Sequence, residues 1–319
     1  MLKYALKRLL SSLAVIFFVT LITFFVISVI PGDQAILALG LDATQESLDT
    51  LRSSLGLDRP FVVRYFEWLV DAIKLNFGYS AVYGESVVKL IASRLPVTFS
   101  LTVFSILIAS IFSSLLGLIA ALNKGKVSDG IIRTSVLVIS SLPSFWVSLI
   151  ALIVFCGKLN LFPVNGYIAP NESFFGFLRS ITLASFILAF GELALMTRMF
   201  RSSLVRSLAD DYMISCDVKG LKRSRALLHY AARSAIIAPI TLIGNQAAKL
   251  FGGTVIVETV FSLPGIGRLL LVSVEQHDIA LLEGVVLFIT LMVVLMNFLT
   301  DMSVALADPL IRLSGGEAK

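Results

Sequence analysis

Charge is what this sequence has least of. Aspartate, glutamate, lysine and arginine make up 15% of its 319 residues, against 57% hydrophobic residues. Soluble domains carry about 25% charged residues, so an ordinary soluble domain is excluded. Histidine is nearly missing. His229 lies in a basic segment read below as cytoplasmic and His277 in one read as external, so no histidine pair can build a metal or hydrolase site. Cysteine is represented by Cys156 and Cys216 alone, on opposite sides of the same topology, which argues against an intrachain disulfide. No Gly-x-x-x-x-Gly-Lys-Ser/Thr occurs, so the chain carries no phosphate loop for ATP. Gly265-Ile-Gly267 follows a proline but lacks both the lysine and the strand–turn–helix setting that chemistry needs. No repeat or low-complexity segment is apparent. The net charge of +5 is no nucleic-acid signal, because the basic residues are interspersed among apolar runs and form no basic domain, and no nucleic-acid partner is expected.

What the sequence has is apolar length. Residues 9–30 form 22 positions without charge, preceded by Lys3, Lys7 and Arg8. A cleavable signal peptide has a shorter apolar region and a small-residue cleavage site, so this is expected to be an uncleaved first span with a cytoplasmic N terminus. Further spans are expected at 97–122, 134–155 (interrupted by Pro143), 181–197, 235–257 and 284–300. Six spans put both termini in the cytoplasm. That topology leaves sixteen basic residues inside and nine outside, with Lys249 within a span, as the positive-inside rule requires. The expectation is an all-α polytopic membrane protein. Residues 1–30 are the first transmembrane helix, 31–96 an external segment, 97–309 a five-helix core and 310–319 a cytoplasmic tail. The external segment is long for a passive connector and carries six basic against eight acidic residues, which suits docking or gating.

Between the fourth and fifth spans lies a polar island, residues 207–221. Ser207 followed by Asp210 has the form of a capping box, Asp210 and Asp211 suit a first turn, and Gly220 suits a left-handed helix end. These features predict a helix over 207–221 that is too polar to cross a membrane. From the pattern alone it is either a helical cytoplasmic loop or a docking element.

Asp211-Tyr212 followed by Lys219-Gly220-Leu221, with Arg233 and Ala235 beyond, resembles the cytoplasmic signature of permease subunits of binding-protein-dependent ABC importers, in the dipeptide, oligopeptide and nickel branch. Pro31-Gly32-Asp33, Asn76-Phe-Gly-Tyr-Ser80, Leu142-Pro-Ser-Phe-Trp146 and the run from Glu258 to Gly267 extend the resemblance over nearly the whole chain, from Lys3 to Pro309. Ile214-Ser215-Cys216 stands where the broader family has Glu-Ala-Ala, and Pro239 sits one place late. The resemblance implies that 207–221 is a coupling helix docking on an ATPase subunit through Asp211, Tyr212, Cys216, Lys219, Gly220 and Leu221. It also implies a prokaryotic cytoplasmic (inner) membrane location, a second homologous permease subunit, ATP-binding subunits that hold ATP and Mg, and an external substrate-binding protein. The chain itself binds no cofactor or metal and is no enzyme. Di- or oligopeptides are the implied cargo, with nickel or a metal chelate as the alternative. A channel or secondary transporter that works without ATP is the competing class. It would show a relay of intramembrane carboxylates or inverted repeats, and neither is evident.

Glu192 and Lys249 are each the one charge inside an otherwise apolar span. A charge at mid-membrane costs at least ~2.5–3.5 kcal/mol on insertion scales. They are therefore expected to face protein or water, as a translocation-pathway pair, as a structural ion pair, or as two snorkelling side chains that never meet.

Overall fold

The computed structural model describes residues 2–29, 44–54, 58–235 and 237–307. Pro31-Gly32-Asp33 and the tail 310–319 lie outside the described residues. Among the described residues the regular elements are helices, apart from one isolated bridge between Tyr79 and Ser86.

In chain order these are α1 (Leu2–Val29), α2 (Gln45–Ser54), α3 (Phe61–Ile73), α4 (Val87–Leu122), α5 (Val127–Ser141) and α6 (Ser144–Ala151), which runs on as a π-helical stretch, Leu152–Lys158. Then come α7 (Phe174–Leu208), α8 (Asp211–Val218), α9 (Ile237–Gly253), α10 (Val255–Val260), α11 (Ile266–Glu275) and α12 (Ile279–Ala307). Residues 223–235 form short helical turns between α8 and α9.

Four helices among the described residues are long and apolar enough to cross a membrane: α1, α4, α7 and α12. The expected third span is not one straight rod. Pro143 lacks the amide that would continue the helix, and α5 meets α6 at a bend of 91°, so this pair is a broken span or a re-entrant loop. The expected fifth span is the 17-residue α9, about 25 Å long at ~1.5 Å per residue. It is shorter than the other spans and stops at Gly252-Gly253. Among the described residues, four helices and one bent pair thus meet the length and apolarity of a span, and α9 is the shorter sixth segment.

The helices outrun their apolar runs. α4 starts at Val87 and carries Pro96 within it, and α7 continues well past Thr197. At ~1.5 Å per residue, 35 or 36 residues reach more than ~50 Å, beyond a hydrocarbon core of ~30 Å. Both therefore project into water, which is where the cations of α7 sit.

α4 and α7 form the centre of the molecule, and they approach closely because the facing residues are small. Ala109, Ser113, Gly117 and Ala121 on α4 are buried, as are Ala184, Ser185 and Ala189 on α7. In lipid, where tails are as apolar as leucine, close backbone packing replaces the hydrophobic drive. A Cβ on Gly117 would meet the Phe200 Cβ at 2.8 Å, so this contact needs a glycine. The largest core joins Val97 and Leu101 of α4 with Ile181, Ala184 and Ile187 of α7, and with Leu250, Val257 and Phe261. A second core joins Ala72, Val87, Leu90, Ile266, Leu281 and Val285.

Span hydroxyls mostly bond back to the preceding turn, as Ser105 does to the Leu101 carbonyl and Ser148 to that of Ser144. Two motifs outside the spans are built around buried carboxylates. Asp278 accepts from the Ser80 hydroxyl at 2.5 Å, from the Val82 amide at 3.1 Å, and from the Leu281 amide at the start of α12 at 3.1 Å. Glu258 is fully buried; it accepts the hydroxyls of Thr98 and Thr254 and the amide of Arg268 at 2.7, 2.8 and 2.9 Å. A Cβ on Gly265 would lie 2.2 Å from the Glu258 Cδ. The run from Glu258 to Gly267 is thus a loop wrapped on its own carboxylate.

Candidate functional site

The polar island folds as a helix with two differences from the sequence expectation. α8 spans Asp211–Val218, eight residues, roughly 12 Å long at ~1.5 Å each. Ser207 does not cap it, because Ser207 belongs to the last turn of α7. Its hydroxyl is instead donated to the Ala231 carbonyl at 2.8 Å and shares a short hydrogen bond with the Tyr212 hydroxyl. This Tyr212–Ser207–Ala231 contact ties α8 to the end of α7 and to the segment before α9. A capping-box pattern specifies local chemistry only, and here a tertiary partner took the serine.

The other end follows the sequence. Gly220 has φ +67, and the Leu221 amide bonds the Cys216 carbonyl at 3.1 Å, the six-to-one closure of a helix ending on a left-handed residue. Asp211 and Lys219 are exposed, Leu221 is half-buried and Cys216 is buried. Cys216 therefore faces the chain's own interior. Both cysteines are free. The outward face of α8 shows two apolar residues one turn apart, Ile214 at 62% and Val218 at 83% exposed. Only the folded helix reveals that these two share a face.

Above α8, α7 is fixed to the first turn of α5. Asp129 is 2% exposed and receives Arg201 in a two-pronged ion pair, Nε to Oδ1 and Nη2 to Oδ2, each 2.7 Å. The Gly125 amide donates to the same carboxylate at 3.2 Å, and Arg133 lies 3.4 Å from it. Nothing in the local sequence marks this pair, whose members are 72 residues apart.

Glu192 and Lys249 meet. The Lys249 Nζ lies 3.0 Å from the Glu192 Oε1. The pair is lopsided: the Glu192 side chain is 6% exposed and that of Lys249 66%. Lys249 lies on a strip of α9 with Asn245, Gly252 and Gly253, all exposed, while Gln246, Ala248, Leu250 and Phe251 turn inward. On α7, Gly191, Leu195 and Arg198 are exposed. A Cβ on Gly191 or Gly253 would meet nothing within 4 Å. Beside Glu192, the Ser140 hydroxyl donates to the Phe190 carbonyl at 2.8 Å and accepts from the Ala194 amide at 3.1 Å. Those two groups are the ends of one i to i−4 helical bond, so Ser140 pins the end of α5 into α7 at the acid.

Among the described residues the chain is helical, with a short polar helix between two apolar ones, and comparison with known proteins identifies the class. The chain belongs to the family described as binding-protein-dependent transport system inner membrane component, matched over residues 113–313, and residues 1–102 match the N-terminal family of the same membrane components. It is a multi-pass membrane subunit of a binding-protein-dependent importer, not itself an enzyme; ATP hydrolysis sits in partner subunits. The chain is 34% identical over 307 residues to a putative peptide transport system permease protein of Brucella abortus, covering 96% of this chain and 98% of that one. It is 32% identical to a probable peptide ABC transporter permease protein of Sinorhizobium fredii, over 97% and 99% of the two chains. It is 33% identical to the glutathione transport system permease protein GsiC of Shigella boydii, over 98% and 99%.

Proposed function

We propose that this chain is one of two permease subunits of an ATP-driven importer that moves di- or oligopeptides across the prokaryotic cytoplasmic membrane. The observation that carries the reading is near full-length similarity to permeases named for peptide and glutathione transport. Relatives named for nickel do not figure among these, and the nickel alternative is not favoured. A second homologous permease, ATP-binding subunits holding ATP and Mg, and an external substrate-binding protein complete the assembly.

In this reading α8 is the coupling helix. Ile214 and Val218, with Asp211 and Lys219 around them, form the face that seats on the ATPase subunit. Tyr212 and Cys216 act from within, as positioning residues. Gly220 sets the exit of the chain toward Leu221. The strip bearing Lys249 lines the translocation pathway together with Gly191 and Glu192, because a cation and an exposed asparagine are costly against lipid. Both termini lie in the cytoplasm, supported by the 3.1 Å contact between Arg8 of α1 and Asp301 of α12, which brings the start of the first span beside the end of the last. Residues 31–96 lie outside and contribute to the face offered to the binding protein. Lipid surrounds the spans, where Phe18, Ile22 and Phe25 of α1 are exposed.

The test is uptake by the reconstituted complex of labelled dipeptide, longer peptide and nickel. ATP-dependent accumulation of peptide and not of nickel is expected. Accumulation of nickel alone overturns the substrate, and peptide flux without ATP overturns the class.

A further inference from the structure

We infer that Lys249 presents the cation that receives the carboxylate end of the transported peptide, and that Glu192 is the buried residue that holds it in place. This rests on the pathway reading above and adds a charge preference to it.

The argument starts from the unequal burial of the pair. A solvated salt bridge shows both charges to its surroundings. Here the acid is hidden behind its partner, 6% against 66% exposed, so what the open side meets is an ammonium. That ammonium has three donors, and one is spent on the Glu192 Oε1 at 3.0 Å. The others are open to the exposed side, since the side chain is 66% exposed and Asn245, Gly252 and Gly253 of the same strip are exposed too. Asn245 lies one turn to one side of Lys249 and Gly253 one turn to the other, which puts an amide and an open backbone beside the cation.

The charged group next along the exposed face of α7 is Arg198, another cation. The backbone that carries Glu192 is tied to α5: the Ser140 hydroxyl bridges the Phe190 carbonyl and the Ala194 amide on either side of it. A buried acid holding an outward lysine is a preorganised acceptor for a carboxylate, which costs less to fill than a free lysine on its four-carbon stem. Space is present as well, since a Cβ on Gly191 or Gly253 meets nothing within 4 Å. A peptide's ammonium end finds no exposed acid on this strip.

The experiment uses Gly253→Cys in a protein lacking Cys156 and Cys216, assembled with its partner subunits in proteoliposomes. Rates of modification by an anionic reagent (sulfonatoethyl methanethiosulfonate) and a cationic one (trimethylammonioethyl methanethiosulfonate) are compared after normalising to a free thiol. Field focusing in a low-dielectric cleft predicts an anionic preference of about tenfold. It should fall to about one in a protein also carrying Lys249→Gln and Glu192→Gln, a neutral pair that leaves no buried charge. Dialanine should slow the labelling, and dialanine amide should not. If neither reagent reacts, water does not reach the strip and the pathway reading itself falls. If both react equally, or the preference survives the neutral pair, the strip is a pathway but not a carboxylate site. Equal protection by the acid and the amide, or none by either, overturns the carboxylate assignment in the same way.

Discussion

Arg201 grips Asp129 with two parallel hydrogen bonds of 2.7 Å, joining the first turn of α5 to α7 about two turns above the end of α7. The planar fork of a guanidinium matches both carboxylate oxygens, which lysine cannot do. Because α7 runs into α8, this pair sets where the proposed coupling helix stands relative to α4.

Removing one partner should therefore hurt more than removing both. Asp129→Ala leaves an arginine that is only 19% exposed without its acid, and breaking a buried pair costs roughly 3 kcal/mol or more. The double variant Asp129→Ala with Arg201→Met should regain most of that loss in the melting temperature of the purified complex. It should still hydrolyse ATP without matching uptake, because the start of α5 is no longer tied to α7. A double variant as unstable as the single one would show that the pair is not the origin of the effect.

At the coupling helix the structure separates two kinds of residue. Gly220→Val forces a β-branched side chain to φ +67, an outlier conformation for such a residue, and should collapse uptake while the chain stays in the membrane. Ile214→Asp leaves the fold alone, since the side chain is exposed, and should reduce recovery of ATP-binding subunits at least tenfold on co-purification. Normal transport coupled to normal hydrolysis in both variants would remove the coupling role from α8.

How much of this was legible beforehand depends on the range of the interaction. The apolar runs, the break at Pro143, the left-handed Gly220 and the isolated charges Glu192 and Lys249 are all local, and the structure has each of them. Ser207 differs because its cap pattern reaches three residues on, while the carbonyl that takes its hydroxyl, that of Ala231, lies 24 residues on. Asp129 with Arg201, and Ser140 with α7, are set by helix packing over 50 residues or more, for which one sequence holds no signal. The role of Glu258 was half visible: the glycines after it were conspicuous, but their reason, the lack of room beside its carboxylate, needed coordinates. The length of α9 was misjudged because hydropathy runs on through the Gly252-Gly253 break.

Topology has a direct check. Gln45 is exposed at the start of α2, so Gln45→Cys in a protein without Cys156 and Cys216 should react with an impermeant thiol reagent added to intact spheroplasts. Labelling only after permeabilisation would put residues 31–96 in the cytoplasm and invert the arrangement.

The lopsided pair makes its own prediction about stability, separate from any role in transport. Lys249→Ala strands the Glu192 carboxylate at 6% exposure. An unpaired buried charge is expensive and is relieved only by taking up a proton or drawing in water. Glu192→Ala strands an ammonium that is 66% exposed, which water solvates at little cost. Lys249→Ala should therefore lower the melting temperature and membrane level of the complex clearly, and Glu192→Ala only slightly. Combining the two should restore stability close to that of the unaltered chain. For the same reason a charge swap, Glu192→Lys with Lys249→Glu, should rescue only in part. It places the long, strongly hydrated side chain in the buried position and the short one outside. Equal losses from the two alanine variants would mean that both side chains see the same surroundings, and that the acid is not held behind the lysine as the structure has it.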